Sequence, residues 1–333
     1  MNKATMADVA ELAGVSKSTV SQYINNRFNY MSNSTKVRIK DAIDSLQYVP
    51  NFTAKSLKQK KTKTIGVIIA NVLHPFSTEI IRSIEDSCEE NGFQLFVCNA
   101  DDNSVKERKY IEILLSKQVD GLIIFPTQEN FKYYSQLKTS KFPVVFLDRK
   151  TDENIYPTFL LENEEASEMV VENFSKKGIY KIGIVLPPII KKITPRLERL
   201  EGYKKALKER NLAIKEDWII SGEKEEIWEQ LDKLYETNNL PKGFYTVNDV
   251  SFIELSKFMK CKRLDNGEDI KVITIDDTIY FDILRPAITV IKQPAFKMGK
   301  AATEYLLKII NDEVKLKEKY EVERFSPTLV LRK

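Results

Sequence analysis

Apolar side chains in residues 1–49 recur at helical spacing in three short runs, and the polar residues between them supply the starts and stops. Val9, Leu12 and Ala13 give one face to a helix over Met6 to Ala13, with Thr5 as N-cap and Asp8 in the first turn, where a carboxylate suits the helix dipole. Gly14 ends that helix. Ser16 caps a second, with Val20 and Ile24 inward, and Ser32 caps a third, with Ile39, Ala42, Ile43 and Leu46 at i, i+3, i+4 and i+7. So short a connection between the first two helices is that of a helix-turn-helix unit. Pro50 stops the third helix, and 50–63 reads as a lysine-rich linker. Within it Asn51 to Leu57 has length for two helical turns but too few apolar residues to hold them without a partner.

From Thr64 the pattern changes to continuous apolar runs alternating with amphipathic stretches. Ile65 to Ala70, Phe93 to Cys98, Gly121 to Phe125 and Val144 to Leu147 are strand-like, with helical segments near 76–91, 104–117 and 130–139. A second series comprises Thr158 to Leu161, Lys181 to Leu186, Trp218 to Ser221, Phe244 to Val247 and Val272 to Ile275, with helices near 163–177, 196–210, 223–237 and 250–260. Apolar strands alternating with helices predict an α/β fold of parallel sheets covered on both faces. Two successive runs predict two doubly wound lobes, with a ligand crevice between them at the carboxyl ends of the strands.

Charge sharpens this division. The net charge is +4, from 52 Lys and Arg against 48 Asp and Glu, but residues 1–63 hold 11 basic and 4 acidic side chains, for +7, which leaves 41 and 44, or −3, for the rest. A small basic module on a near-neutral body points to a polyanionic partner. Composition excludes much else. The single histidine, His74, rules out a His-rich metal site, and Cys88, Cys98 and Cys261 lack C-x-x-C spacing, so no metal and no redox pair is expected. No G-x-G pair or phosphate loop occurs among the eleven glycines, so no nucleotide cofactor is expected and an enzyme is disfavoured. Neither a signal peptide nor a membrane-length apolar run is visible, and the expected location is cytoplasmic.

Lys17, Ser18, Ser21 and Gln22 share the helix face opposite Val20 and Ile24. These residue types suit base edges in a major groove, although a solvated helix face has the same composition. The wording goes further. MADVAELAGVSKSTVSQYINN followed by YMSNSTKVRIKDAIDSLQYVPN closely resembles the DNA-binding headpiece of the lactose/galactose-repressor (LacI/GalR) family of bacterial transcription regulators. The resemblance continues in family order through AKSL, TIGVIIANVLHPFSTEIIRSIED, PVVFLDR, RLEGYKKAL, VND, TIDDT and TVIKQPAFKMGKAATEYLL, nearly the whole chain.

The resemblance implies operator DNA as partner. Lys17, Ser18 and Gln22 fall where members read bases, and Ser21 lies beside them. Gln22 departs from the usual Arg after T-V-S. Thr5, Ser16, Thr19, Asn25 and Thr35 are the hydroxyl and amide groups expected at phosphates. Asn51, Ala54, Lys55 and Leu57 match a hinge helix that folds in the minor groove, with Leu57 as the leucine wedged between base pairs.

For the body the resemblance implies a type I periplasmic-binding-protein fold. Asp148, Arg196, Arg199, Asn248 and Asp276 are implied to face the interlobe cleft, where such groups suit the hydroxyls of a sugar. Phe76, Ser77 and Phe296 are candidates for its apolar and stacking wall, Ser77 standing where a second aromatic is frequent. Glu162 replaces the aspartate of a usual V-D-N. With Arg149 near Arg196 and Arg199 in the motifs, an anionic sugar acid enters as a ligand class, and SKSTVSQYIN with the later YMS is similar to regulators of hexuronate and ketodeoxygluconate use.

The organisation expected is a helix-turn-helix headpiece over 1–49, a hinge and linker over 50–63, and an effector-binding and dimerisation body over 64–333. Lobe one takes about 64–161 plus 292–320, and lobe two about 162–291 plus 321–333. The reading is a homodimeric repressor of carbohydrate-utilisation genes that binds a pseudo-palindromic operator under control of a small sugar or sugar acid. The alternatives are a family-type global catabolite regulator answering to a phosphorylated carrier protein, and, from another class, a sugar-binding transport receptor.

Overall fold

The computed structural model describes residues 4–29, 31–48, 61–189, 193–265, 267–283 and 287–332. The chain divides into two units, Met1–Thr62 and Lys63–Lys333. No helix among the described residues is long and apolar enough to cross a membrane.

Among the described residues of the first unit each helix starts at a hydroxyl cap. Helix α1 (Met6–Leu12) opens with a capping box, in which the Thr5 amide donates to Asp8 at 2.7 Å and the Asp8 amide to Thr5 Oγ1 at 3.4 Å. Helices α2 (Lys17–Ile24) and α3 (Asn33–Leu46) are capped by Ser16 and Ser32, whose Oγ atoms accept from the Thr19 and Thr35 amides, each at 3.2 Å. Gly14 takes the left-handed φ of 63° that lets the chain leave α1 at once. Val9, Ala10, Ala13, Val20, Ile39, Ala42 and Tyr48 form the buried core. Leu12 is not in it, being 57% exposed. The inward face of α1 runs through Val9, Ala10 and Ala13 instead.

The second unit carries two six-stranded sheets. The first contains β1 (Thr64–Ile69), β2 (Gln94–Asn99), β3 (Gly121–Ile124), β4 (Val144–Leu147), β5 (Thr158–Leu161) and β11 (Val322–Phe325), in the order β11-β5-β4-β3-β1-β2, with every pairing parallel. The second contains β6 (Ile182–Leu186), β7 (Ile219–Ser221), β8 (Gly243–Thr246), β9 (Lys271–Ile275), β10 (Thr289–Lys292) and β12 (Thr328–Val330), in the order β12-β10-β9-β8-β6-β7, with only the β10–β12 pair antiparallel.

Helices α4 (Pro75–Glu90), α5 (Ser104–Ser116), α6 (Phe131–Thr139) and α11 (Ala295–Ile310) pack with the first sheet in two cores, one on each face. Helices α7 (Asn163–Lys176), α8 (Thr194–Glu209), α9 (Lys224–Glu236) and α10 (Asp249–Lys262) do the same for the second. This is the α/β architecture of two doubly wound lobes.

The chain passes between lobes after β5, after β10 and between β11 and β12. One boundary differs from expectation. Residues 322–325 pair with β5 in the first sheet, so lobe two regains the chain near Thr328 rather than at 321. Its pattern explains the miss: Val-Glu-Arg-Phe lies on a sheet edge with no residue fully buried, and reads as surface.

Candidate functional sites in the headpiece and the interlobe cleft

On α2, Lys17, Ser18 and Gln22 are exposed and Ser21 is half-buried, so the face opposite Val20 is presented to solvent as the periodicity predicts. The hydroxyls assigned to phosphates have a local task. Ser16 Oγ lies 2.6 Å from Ser18 Oγ and 2.8 Å from Thr19 Oγ1, and Ser32 Oγ repeats this with Ser34 and Thr35 at 3.0 and 2.9 Å. Two successive helices therefore begin in the same Ser-x-Ser-Thr cluster. Such a terminus joins unsatisfied amides and hydroxyl donors, which is chemistry for a phosphate. Asn25 ends α2 with its amide donating back to the Ser21 carbonyl at 2.7 Å. Thr5 serves the capping box. Asn51, Ala54, Lys55 and Leu57 lie outside the described residues.

In the body, β4 and β9 hold the third position from the β11 and β12 edges of their sheets, and each ends in an aspartate with a left-handed backbone: Asp148 at φ 64° and Asp276 at φ 75°. Non-glycine residues there cost about 1–3 kcal/mol, and such strain collects at functional sites. Burial pushes the Asp276 carboxyl up to about 6, against Arg199 and a 2.6 Å hydrogen bond from Gln293 Nε2. Asp148 is also raised by burial, with Arg149 and Arg199 pulling the other way. Arg199 lies between the two aspartates electrostatically. It is buried on α8, donates from Nε to Asn163 Oδ1 at 2.9 Å and from Nη1 to the Val247 carbonyl at 2.6 Å, and its own carbonyl accepts from Ser167 Oγ at 2.8 Å.

Contacts between the lobes close over this centre. Asp102, just after β2, accepts at Oδ1 from Arg149 Nη2 at 2.6 Å and at Oδ2 from Arg196 Nη2 of lobe two at 3.3 Å. His74, which opens α4, meets Asp249, the first residue of α10, with Nδ1 2.7 Å from Oδ1. Burial lowers the His74 pKa, but the hydrogen bond and charge of Asp249, reinforced by Asp276 and Asp102, outweigh it and the net shift is upward. Lys150 lies 3.1 Å from Glu198, and Thr194 Oγ1 accepts from the Lys150 amide at 3.1 Å. The remaining recess, lined by Asp102, Thr127, Gln128, Arg149, Lys150 and Thr194 among others, has room for little more than water.

Other expected wall residues have different places. Asn248 is the N-cap of α10, its Oδ1 accepting from the Ser251 amide and hydroxyl at 3.0 and 2.8 Å. Phe76 belongs to the lobe-one core, 6.5 Å from the Phe125 ring, and Ser77 is buried. Phe296 is 49% exposed, in the first turn of α11, and its carbonyl accepts from Ser83 Oγ at 2.5 Å. Glu162 lies at the first interlobe crossing, 3.8 Å from Arg324, which forks onto Glu198 at 3.0 and 2.8 Å. Sequence reasoning missed Asp102, Asp249, Gln293 and His74 as cleft residues. Their local signal is a position just beyond a strand end or at a helix start, and His74, Asp249 and Gln293 also fall inside the motifs that carry the resemblance.

Residues 5–51 match the model of bacterial regulatory proteins of the lacI family, and 171–333 match a periplasmic binding protein-like domain. A probable HTH-type transcriptional regulator, EndR of Paenibacillus polymyxa, is 44% identical over 98% of this chain and 96% of its own. The chain belongs to the lacI family of bacterial regulatory proteins. It is a DNA-binding transcription regulator with a periplasmic-binding-protein-like body, and not an enzyme. The HTH-type regulator KdgR of Bacillus subtilis is 32% identical over 96% of this regulator and 95% of its own chain. Among solved structures, the lac repressor dimer bound to operator and the anti-inducer ONPF shares the fold at a TM-score of 0.83 and 23% identity, covering 99% of this chain and 98% of that one. The CelR–cellobiose complex does so at 0.72 and 21%, covering 99% of each.

Proposed function

We propose that this regulator is a homodimeric repressor of carbohydrate-utilisation genes, whose interlobe cleft takes a small sugar or sugar acid and whose paired headpieces read a pseudo-palindromic operator. The observation that carries the reading is the convergence of Asp148, Arg199 and Asp276 on one interlobe centre, with a strained aspartate from each lobe. Carboxylates and guanidinium groups on facing walls match the mixed donors and acceptors of a polyol, and bonds to both walls make closure depend on the ligand. The operator-bound lac repressor and cellobiose-bound CelR, which share the fold, support both halves of it.

In this reading 1–49 is the headpiece, 50–63 the hinge and 64–333 the body. Lys17, Ser18 and Gln22 read bases, the Ser16 and Ser32 clusters hold phosphates, and Leu57 enters the minor groove. Operator binding with and without a panel of sugars, sugar acids and sugar phosphates tests it. One carbohydrate is expected to change operator affinity by roughly 5- to 150-fold, with the operator changing carbohydrate affinity by the same factor. Binding should also weaken with salt at a log–log slope of about −0.9 per phosphate contacted. A panel in which nothing alters operator affinity or melting temperature contradicts the proposal.

A further inference from the structure

Arg149 is a buried guanidinium, 7% exposed, on the wall of the interlobe recess. Its Nη2 is satisfied by Asp102 Oδ1 at 2.6 Å, but its buried Nε has no hydrogen-bond partner among the described residues. Asp148 Oδ2 stands at 3.7 Å, beyond hydrogen-bonding range. A guanidinium offers Nε and Nη2 as a parallel fork that matches the two oxygens of one carboxylate. Asp102 does not use the fork, because its Oδ2 is turned to Arg196 Nη2 at 3.3 Å in the other lobe. One carboxylate is thus divided end-on between two arginines, and a buried donor goes unmatched. Asp102 itself is on a turn of two left-handed residues, Asp101 at φ 53° and Asp102 at φ 52°, and its side chain is 22% exposed, so rotation carries it to solvent without unfolding.

We propose that Asp102 is a built-in counter-ion occupying the carboxylate subsite of the effector cleft, and that the effector is a sugar acid whose carboxylate takes Arg149 through Nε and Nη2 as Asp102 turns out. This deepens the reading of the cleft as the effector site and rests on it. Charge decides against a neutral sugar. With Asp102 and Asp148 in place the two arginines face two carboxylates, so a neutral ligand that displaces Asp102 leaves a buried positive charge uncompensated, whereas an acid replaces one carboxylate by another and matches the unpaired donor. A carboxylate is favoured over a phosphate because a carboxylate already fits between these arginines. Since Asp102 also bridges to Arg196, the exchange replaces an internal link between lobes by one made through the ligand.

Calorimetric titration of the full-length protein with D-galacturonate, D-glucuronate, D-gluconate, D-galactose, D-glucose and D-glucose 6-phosphate tests this, alongside thermal melts in millimolar sulfate. Asp102→Asn and Asp102→Gly both tolerate the left-handed turn. Each is expected to bind one of the acids at least 10-fold more tightly than wild type and to gain several degrees of melting temperature from sulfate where wild type gains little. Arg149→Met should abolish acid binding. Acid affinity unchanged in both Asp102 variants, or preference for a neutral sugar or the phosphate ester over every acid, overturns the proposal. Absence of a sulfate response in both variants overturns the anion subsite itself. A sulfate response with no carbohydrate bound by any variant instead overturns the carbohydrate reading of the cleft, and the sugar acid with it.

Discussion

In the proposed reading single side chains set both specificities. Gln22 is exposed on α2, so its replacement tests recognition and not folding. Glutamine pairs two-fold with adenine and arginine with guanine, a difference of about 1–3 kcal/mol per base pair. Gln22→Arg is therefore expected to shift preference toward operators with guanine at the contacted position by roughly 5- to 150-fold, with the melting temperature unchanged. Competition between two operators differing at that pair measures it, and unaltered selectivity would remove Gln22 from the reading set. The exposed face of α2 was legible in the sequence because a helix projects i, i+1, i+4 and i+5 onto one side. Cleft residues were legible only singly. Asp102 and Arg196 stand 94 positions apart, and no local pattern announces that they meet. For Asn248 local pattern also leaves two roles open: the residue that ends a strand motif is the N-cap of the next helix, and its oxygen serves Ser251.

At the scale of elements, the packing of α7 on α8 holds Arg199 in place. They approach so closely at Gly202 that a Cβ added there would lie 2.6 Å from Glu164 Cα and 2.9 Å from its carbonyl oxygen, both backbone atoms that cannot turn aside. Gly202→Ala must part the helices or bend one, which costs about 1–3 kcal/mol. The expected results are a lower melting temperature for the body and weaker effector binding, since Ser167 on α7 bonds the Arg199 carbonyl one turn before Gly202 on α8. Melts and ligand titration check both, and a variant as stable as wild type would show that the contact relaxes freely. Strands with continuous apolar runs were readable as strands because burial on both faces leaves no polar position. The edge strand β11 was not, and its parallel pairing to β5 comes from a chain crossing that the local sequence Val-Glu-Arg-Phe does not encode.

Charged pairs bridge the two lobes of the body, and that makes its stability depend on pH in a defined direction. His74 and Asp249 join the lobes, and the His74 pKa is higher in the fold than its ordinary value of 6.5. A group that binds its proton more tightly when folded stabilises the fold fully below its unfolded pKa, and that stabilisation is lost as pH rises through the folded value. The window therefore begins near 6.5 and extends upward. Two buried carboxyls act in the same direction at lower pH. Asp276 is pushed up to about 6, and Glu107 up to about 7 by burial despite hydrogen bonds from Tyr134, Asn130 and Thr127, so both lose stabilisation as they ionise. Both remain in His74→Gln, which keeps a hydrogen-bond donor for Asp249 but no charge. Subtracting the two melting curves isolates the contribution of the His74 charge, which acts on Asp249 and also on Asp276 and Asp148. Wild type is expected to exceed His74→Gln by on the order of 2 °C near pH 5.5, with the difference shrinking as pH rises above 6.5. A difference that stays constant as pH rises would make the contact a neutral hydrogen bond, and the charges that bridge the lobes would then be those of Asp102 with its two arginines and of the Lys150–Glu198 pair.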